Sequence, residues 1–290
     1  MHDVHYYDGV TSPLKERLFR FRSSYPAKSI AVNGKSWEYF AKGESDPTLV
    51  LLPGGIGVAE AWFDCMLEWQ DEYRVISISY PAVDSVSEVI SAIKAVLERE
   101  GAEQVALLGT SLGGYVAQAL IRENPGTLTH AILANTGAAT PEYHRKLEKQ
   151  YPIVRLLINR FTFGMIKSAS RRKVLEMLEF LKGEEQAFWR AYMTDIIDNQ
   201  YSCGNMLTQF KVALDFARRY VSVATDAIPG KEKILIIEAE DDSAISRDRR
   251  GRLKDLFPAA QVKTLQHGGH LLPITQRDEY ISTISKFLKP

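Results

Sequence analysis

The stretch VALLGTSLGGYVAQALIRE, residues 105–123, decides how this chain is read. Residues 104–108 form a short apolar run, the pattern of a strand buried on both faces. Residues 111–123 read as a helix, stopped near Pro125. Between them stands Gly109-Thr110-Ser111-Leu112-Gly113, followed by Gly114, a G-x-S-x-G pattern set between strand and helix. A serine at so tight a turn must take a strained backbone angle, and its neighbours two positions away come too close for side chains, so glycine fits there. The turn lifts the hydroxyl above the sheet edge. It also leaves unpaired N–H groups at the helix start, where the dipole favours negative charge. Ser111 is therefore the candidate nucleophile.

Outward from this stretch, short apolar runs alternate with longer amphipathic ones. Residues 29–32 and 37–41 flank Asn33-Gly34 and predict a hairpin. Residues 48–52 form an apolar run ended by Pro53-Gly54-Gly55. Residues 58–70 have helical spacing, 74–79 are strand-like, and 86–99 predict a helix. Strands are expected again at 130–134, 233–238 and 261–265, with helices at 247–256 and 276–288. This alternation implies an α/β fold: a mostly parallel sheet with helices on both faces. Regularity breaks between residues 141 and 227, where several helices are expected, including 171–181 and 184–198. The expected organisation is an N-terminal extension over 1–28, a core over 29–139 and 229–290, and a helical cap over 140–228. Ser12 and Pro13 open a short helix whose role is not readable.

These features resemble the α/β-hydrolase superfamily, over most of the chain outside the N-terminal segment and the cap. The segments YPAVDSVSEVISAIKAVL (80–97), LLGTSLGGYVAQ (107–118) and DDSAIS (241–246) resemble its maspardin-type branch. The superfamily resemblance implies the chain order nucleophile, acid, histidine. Gly269-His270 matches the histidine slot before the last helix, which makes His270 the expected base and leaves His267 a surface or supporting role. The family acid commonly follows a glycine by three residues. Ala239 holds that glycine's place, and counting on gives Asp242, whereas the maspardin-like alignment gives Asp241. The oxyanion donors implied are the amides of Leu112 and Gly55, with Pro53 where the family often has histidine. Trp62 and Phe63, just after that loop, are expected to line the substrate pocket. Trp189 and Tyr192 in the cap face either substrate or packing. The activity implied is a serine hydrolase acting on a small to medium ester, thioester or amide, with no cofactor and no metal. Two rivals stand beside it: a maspardin-like binding or adaptor protein reusing the fold, and a C–C hydrolase or lyase using the same residues.

Composition sets outer bounds. The 290 residues carry 36 Lys and Arg against 36 Asp and Glu, so nothing points to nucleic acid as a partner. The runs 171–173 and 247–252 are charge-rich and expected to be solvated faces. Cys65 and Cys203 are far apart in sequence and expected to be reduced thiols. No leader-like start and no apolar run of about 18 residues is seen, so a cytoplasmic address is expected. Zinc-ligand spacing, a phosphate-binding loop and a dinucleotide fingerprint are all missing.

Overall fold

The apolar runs become the middle of one sheet. The computed structural model describes residues 4–44, 47–103, 105–123, 128–158, 162–221 and 233–289. Its eight strands are β1 (Lys28–Val32), β2 (Lys35–Lys42), β3 (Thr48–Leu52), β4 (Arg74–Ile78), β5 (Val105–Thr110), β6 (Leu128–Ala134), β7 (Lys233–Ala239) and β8 (Gln261–Leu265). They lie in the order β1-β2-β4-β3-β5-β6-β7-β8. β1 and β2 form the expected antiparallel hairpin, with Asn33 and Gly34 both at positive φ. β2 pairs antiparallel with β4, and every pairing from β4 to β8 is parallel. Gln104, the first residue of the strand read from sequence, and the expected cap boundary at 228–229 lie outside the described residues.

Successive side chains of each central strand feed two cores. Leu49 and Leu51 of β3, with Ala106 and Leu108 of β5, pack on one face. Val50 and Leu52, with Val105 and Leu107, pack on the other. Each leucine or valine so buried contributes about 1.5–3 kcal/mol. The first face is covered by α1 (Pro13–Ser24), α2 (Phe63–Trp69) and, late in the chain, α10 (Leu272–Thr275) and α11 (Arg277–Leu288). The second is covered by α3 (Val86–Arg99), α4 (Leu112–Glu123) and α9 (Arg247–Leu256). α3 begins where Ser85 accepts from the Glu88 N–H at 3.2 Å, a cap contributing about 1 kcal/mol. Residues 58–70 are not one helix: a 3-10 turn at Ala59–Trp62 precedes α2. Ser79 and Ser77 of the β4 region hold that turn by hydrogen bonds to the Ala59 N–H and C=O.

After β6 the chain leaves the sheet for four helices: α5 (Pro141–Leu157), α6 (Phe163–Glu176), α7 (Gly183–Gln200) and α8 (Cys203–Arg219). These helices divide between the two cores. Phe188, Trp189 and Tyr192 of α7 join the first, while Leu147 of α5 and Val212, Ala213 and Phe216 of α8 join the second. Trp189 and Tyr192 are thus packing residues. Tyr192 spends its hydroxyl on the Glu60 carbonyl, at 2.9 Å. Among the described residues no helix is long and apolar enough to cross a membrane. Cys65 and Cys203 are both free thiols.

The N-terminal segment has a legible job in this arrangement. Arg22 of α1 donates to Glu60 at 2.7 Å and to Asp195 of α7 at 2.8 Å, and Tyr7 donates to Asp195 at 2.8 Å. Both carboxylates are buried and the Arg22 side chain is largely covered, so the network ties α7 to the first sheet face. Deleting one partner of a buried ion pair costs about 3–5 kcal/mol, because the abandoned charges have left water without compensation. Arg22→Ala takes the cation from beside two buried carboxylates at once. Its unfolding free energy is expected to drop by about that amount, read as a lower urea midpoint at unchanged slope. A loss no larger than that of a surface substitution would show that water replaces the guanidinium.

Candidate functional site

The chain runs from β3 to β4 on one side and then crosses to β5 on the other. Such a reversal opens a crevice at the carboxyl ends of the strands. The loop after β3 and the turn after β5 meet there. A side chain on Gly54 would place its Cβ 3.4 Å from the Ser111 Cβ.

Ser111 occupies the left-handed region at φ +51°, a conformation costing about 1–3 kcal/mol for a residue with a side chain. Three hydrogen bonds hold it: its N–H to the Ala134 carbonyl at 3.0 Å, and its carbonyl to the Gly114 N–H at 3.0 Å and to the Thr136 hydroxyl at 2.9 Å. The glycines give the turn its room. A Cβ on Gly109 would lie 2.3 Å from the Gly113 carbonyl oxygen, and one on Gly113 would lie 2.2 Å from that of Leu52. Both obstacles are backbone and cannot rotate away. Gly113→Ala is therefore expected to destabilise the protein by about 3 kcal/mol or more, the upper end of overpacking, seen as a large fall in Tm. An unchanged Tm would show that β3 shifts freely.

The distant candidates converge on this turn. The His270 Nε2 lies 3.0 Å from Ser111 Oγ, and its Nδ1 lies 2.9 Å from Asp242 Oδ2. Asp242 is buried and its other oxygen accepts from the Ala244 and Ile245 N–H groups at 2.8 and 3.2 Å. Burial alone would push the Asp242 carboxyl up. The hydrogen bond and charge of His270, with the Asn135 amide and the Ala244 N–H, outweigh burial and hold it below the ordinary aspartate range. Asp241 is placed elsewhere: it accepts from the Gly268 and Gly269 N–H groups at 3.4 and 2.9 Å and braces the loop that presents His270. His267 is exposed, 3.8 Å from Asp241.

Beside Ser111 lies a cleft open to solvent, lined by Ser111, Leu112, Tyr115, Tyr143, Leu147, Gln209, Phe210 and Ala213. Its walls come from α4, α5 and α8. Trp62 and Phe63, expected to line the pocket, do not: both are buried in the first core. Phe63 packs among Phe21, Phe188, Trp189 and Tyr192, with ring centroids 5.2–6.2 Å away. The α7 aromatics draw them to the opposite sheet face. The Gln209 amide instead covers the loop after β3, so close that a Cβ on Gly55 would fall 2.5 Å from its Nε2. Among the described residues, no backbone hydrogen bond uses the N–H of Gly55 or Leu112 as donor.

Two further elements of the site escaped the sequence. Asn135 sits at φ +43° directly after β6, fully buried, and donates to Asp242 Oδ2 at 3.2 Å and to the Gly269 carbonyl at 3.1 Å. A polar residue at the open end of a central strand was its only signal. The run 247–252 is only in part the solvated face expected: Arg247, Asp248 and Gly251 are exposed, whereas Arg249 and Arg250 are 6% and 3% exposed. Their signal was spacing, since Arg249 precedes the buried Leu253 by four residues and Leu256 by seven, one helix face.

The match to known proteins agrees with this geometry. The chain is similar to zebrafish (Danio rerio) maspardin, 24% identical over 261 residues, spanning 86% of this chain and 78% of that protein. This agrees with the maspardin-type resemblance of its segments. Its structure is similar to an esterase from Exiguobacterium antarcticum, with a TM-score of 0.72, 17% identity and coverage of 91% of this chain and all of that one. It is likewise similar to a thermophilic esterase from Thermogutta terrifontis, with a TM-score of 0.68, 21% identity and coverage of 91% and 98%. The model of the alpha/beta hydrolase family matches residues 49–283, and the chain belongs to that family.

Proposed function

We propose that the protein is a serine hydrolase that cleaves a small to medium ester, thioester or amide through an acyl-enzyme. The observation that carries this reading is the unbroken contact from Asp242 through His270 to the Ser111 hydroxyl, at 2.9 and 3.0 Å, beside an open cleft. Ser111 Oγ attacks the substrate carbonyl while His270 Nε2 takes its proton. Asp242 fixes the imidazole tautomer and stabilises the imidazolium. The amides of Leu112 and Gly55 receive the developing oxyanion. Each such donor supports a barrier reduction of about 3–4 kcal/mol. His270 returns the proton to the leaving alcohol, thiol or amine. A water molecule then gives a proton to His270 and attacks the acyl carbon, and Ser111 leaves with that proton. The chemistry draws on no metal and no organic cofactor.

A fluorophosphonate probe tests the reading. It is expected to label the native protein at Ser111 and to leave Ser111→Ala unlabelled. Absence of labelling in the native protein would favour the rival, a hydrolase fold reused for binding.

A further inference from the structure

We propose that the cleft recognises an acyl chain that ends in a carboxylate, with Tyr143 as the group that binds it; this rests on the hydrolase reading of Ser111. The argument begins at Arg249. Its guanidinium is buried and makes no ion pair with an acidic side chain among the described residues. A buried unpaired charge is expensive, and Arg22 of α1, with its side chain 9% exposed, has two carboxylates beside it. Arg249 is instead satisfied by neutral oxygens: its Nε donates to the Ala138 carbonyl at 2.9 Å, and its Nη2 to the Tyr115 hydroxyl at 2.8 Å. Arg250 also lacks an acid partner, but its hydrogen bonds go to the carbonyls of Ala239 and Glu240, which do not line the cleft.

The direction of the bonds then fixes what the cleft offers. Tyr115 accepts from Arg249, so its own proton goes onward, to the Tyr143 hydroxyl at 3.3 Å. Tyr143, having accepted, has its proton left to donate. The Arg249 guanidinium also stacks on Tyr143, 3.4 Å from the ring centroid. Tyr115 and Tyr143 both line the cleft that holds Ser111. A hydrogen-bond chain headed by a cation is polarised toward its far end, so the Tyr143 hydroxyl, whose proton burial holds in place, is a donor with an unmatched positive charge behind it. An anionic acceptor fits that end. Of the remaining walls, Leu112, Leu147, Phe210 and Ala213 are apolar and suit a few methylenes between the carboxylate and the scissile carbonyl, while the polar Gln209 lies over the loop after β3. The substrate class is therefore the half-ester, half-thioester or half-amide of a short dicarboxylic acid.

The test compares p-nitrophenyl hexanoate with the mono-p-nitrophenyl ester of adipic acid, equal in chain length and different only in the terminal carboxylate. The native protein is expected to prefer the adipate ester at least tenfold in kcat/KM, equivalent to about 1.4 kcal/mol. Tyr143→Phe keeps the ring and removes the donor; it is expected to abolish the preference, mainly through the KM of the adipate ester. Equal or reversed preference in the native protein, or a ratio that Tyr143→Phe leaves unmoved, overturns the proposal. Calorimetry on Ser111→Ala separates the site from the chemistry. Adipate binding more tightly than hexanoate there, with that difference lost on adding Tyr143→Phe, supports the site even if the native protein hydrolyses neither ester. Equal binding of the two acids overturns it.

Discussion

Ser111→Ala is expected to lose on the order of 10⁴- to 10⁶-fold in kcat on any p-nitrophenyl ester that the native protein hydrolyses, together with all fluorophosphonate labelling. The size of the effect follows from the absence of a second route to the acyl-enzyme: without Oγ, His270 has nothing to deprotonate except water. What survives is binding and the oxyanion donors, and in related hydrogen-bonded triads these alone leave about 10³- to 10⁴-fold over water. The substitution is also a clean one. The contacts that hold the turn are made by the Ser111 N–H and carbonyl, and alanine keeps both. Alanine meets the same left-handed strain as serine, so Tm should hardly move. A variant that folds normally and still turns over ester within tenfold of native would remove Ser111 from the chemistry.

How much of this was legible in the sequence varies with the kind of signal. The central strands were legible because burial on both faces forces a continuous apolar run, and β3, buried along its whole length, falls within the limits read from pattern alone. The turn at Ser111 was legible because Gly109 and Gly113 are required by backbone contacts of 2.3 and 2.2 Å, a constraint that leaves a fixed spacing. His270 and Asp242 could be placed because the superfamily resemblance implies their order and slots, which fall after β8 and β7. The substrate space was not legible. Trp62 and Phe63 were assigned to it by nearness in sequence to the loop after β3, yet their partners Phe188, Trp189 and Tyr192 come from α7, more than a hundred residues later. Arg249 was misread for a similar reason. A charge run states composition, whereas burial of one member depends on what α9 packs against. The packing of α5 and α8 on the Ser111 side, and of α7 on the other, is decided by contacts remote in sequence.

Asp242→Asn is expected to lower kcat by about 10⁴-fold, and Asp241→Asn by less than tenfold. The difference lies in what each carboxylate accepts. Every group facing Asp242 is a donor in the working arrangement: the Ala244 and Ile245 N–H groups on Oδ1, and the Asn135 amide and His270 Nδ1 on Oδ2. An asparagine must aim its own NH₂ at one of these pairs. The two backbone N–H groups are fixed, whereas Asn135 has a spare, unpartnered Oδ1 and can turn its amide. The new NH₂ therefore faces His270, whose Nδ1 must become the acceptor. The proton then sits on Nε2, where it points at Ser111 and prevents the imidazole from acting as base. In the native protein the Asp242 carboxyl, held below the ordinary value of about 3.9, favours folding above that pH, and the contribution disappears as pH falls through its depressed value. Asp242→Asn should flatten that acid limb of the stability curve as well as abolish turnover. Asp241 only accepts from two loop N–H groups, and an asparagine oxygen can retain the shorter of them, so its loss is one of loop stability. Kinetics on the two variants that show the larger defect at Asp241 would transfer the orienting role to that residue and break the relay described for Asp242.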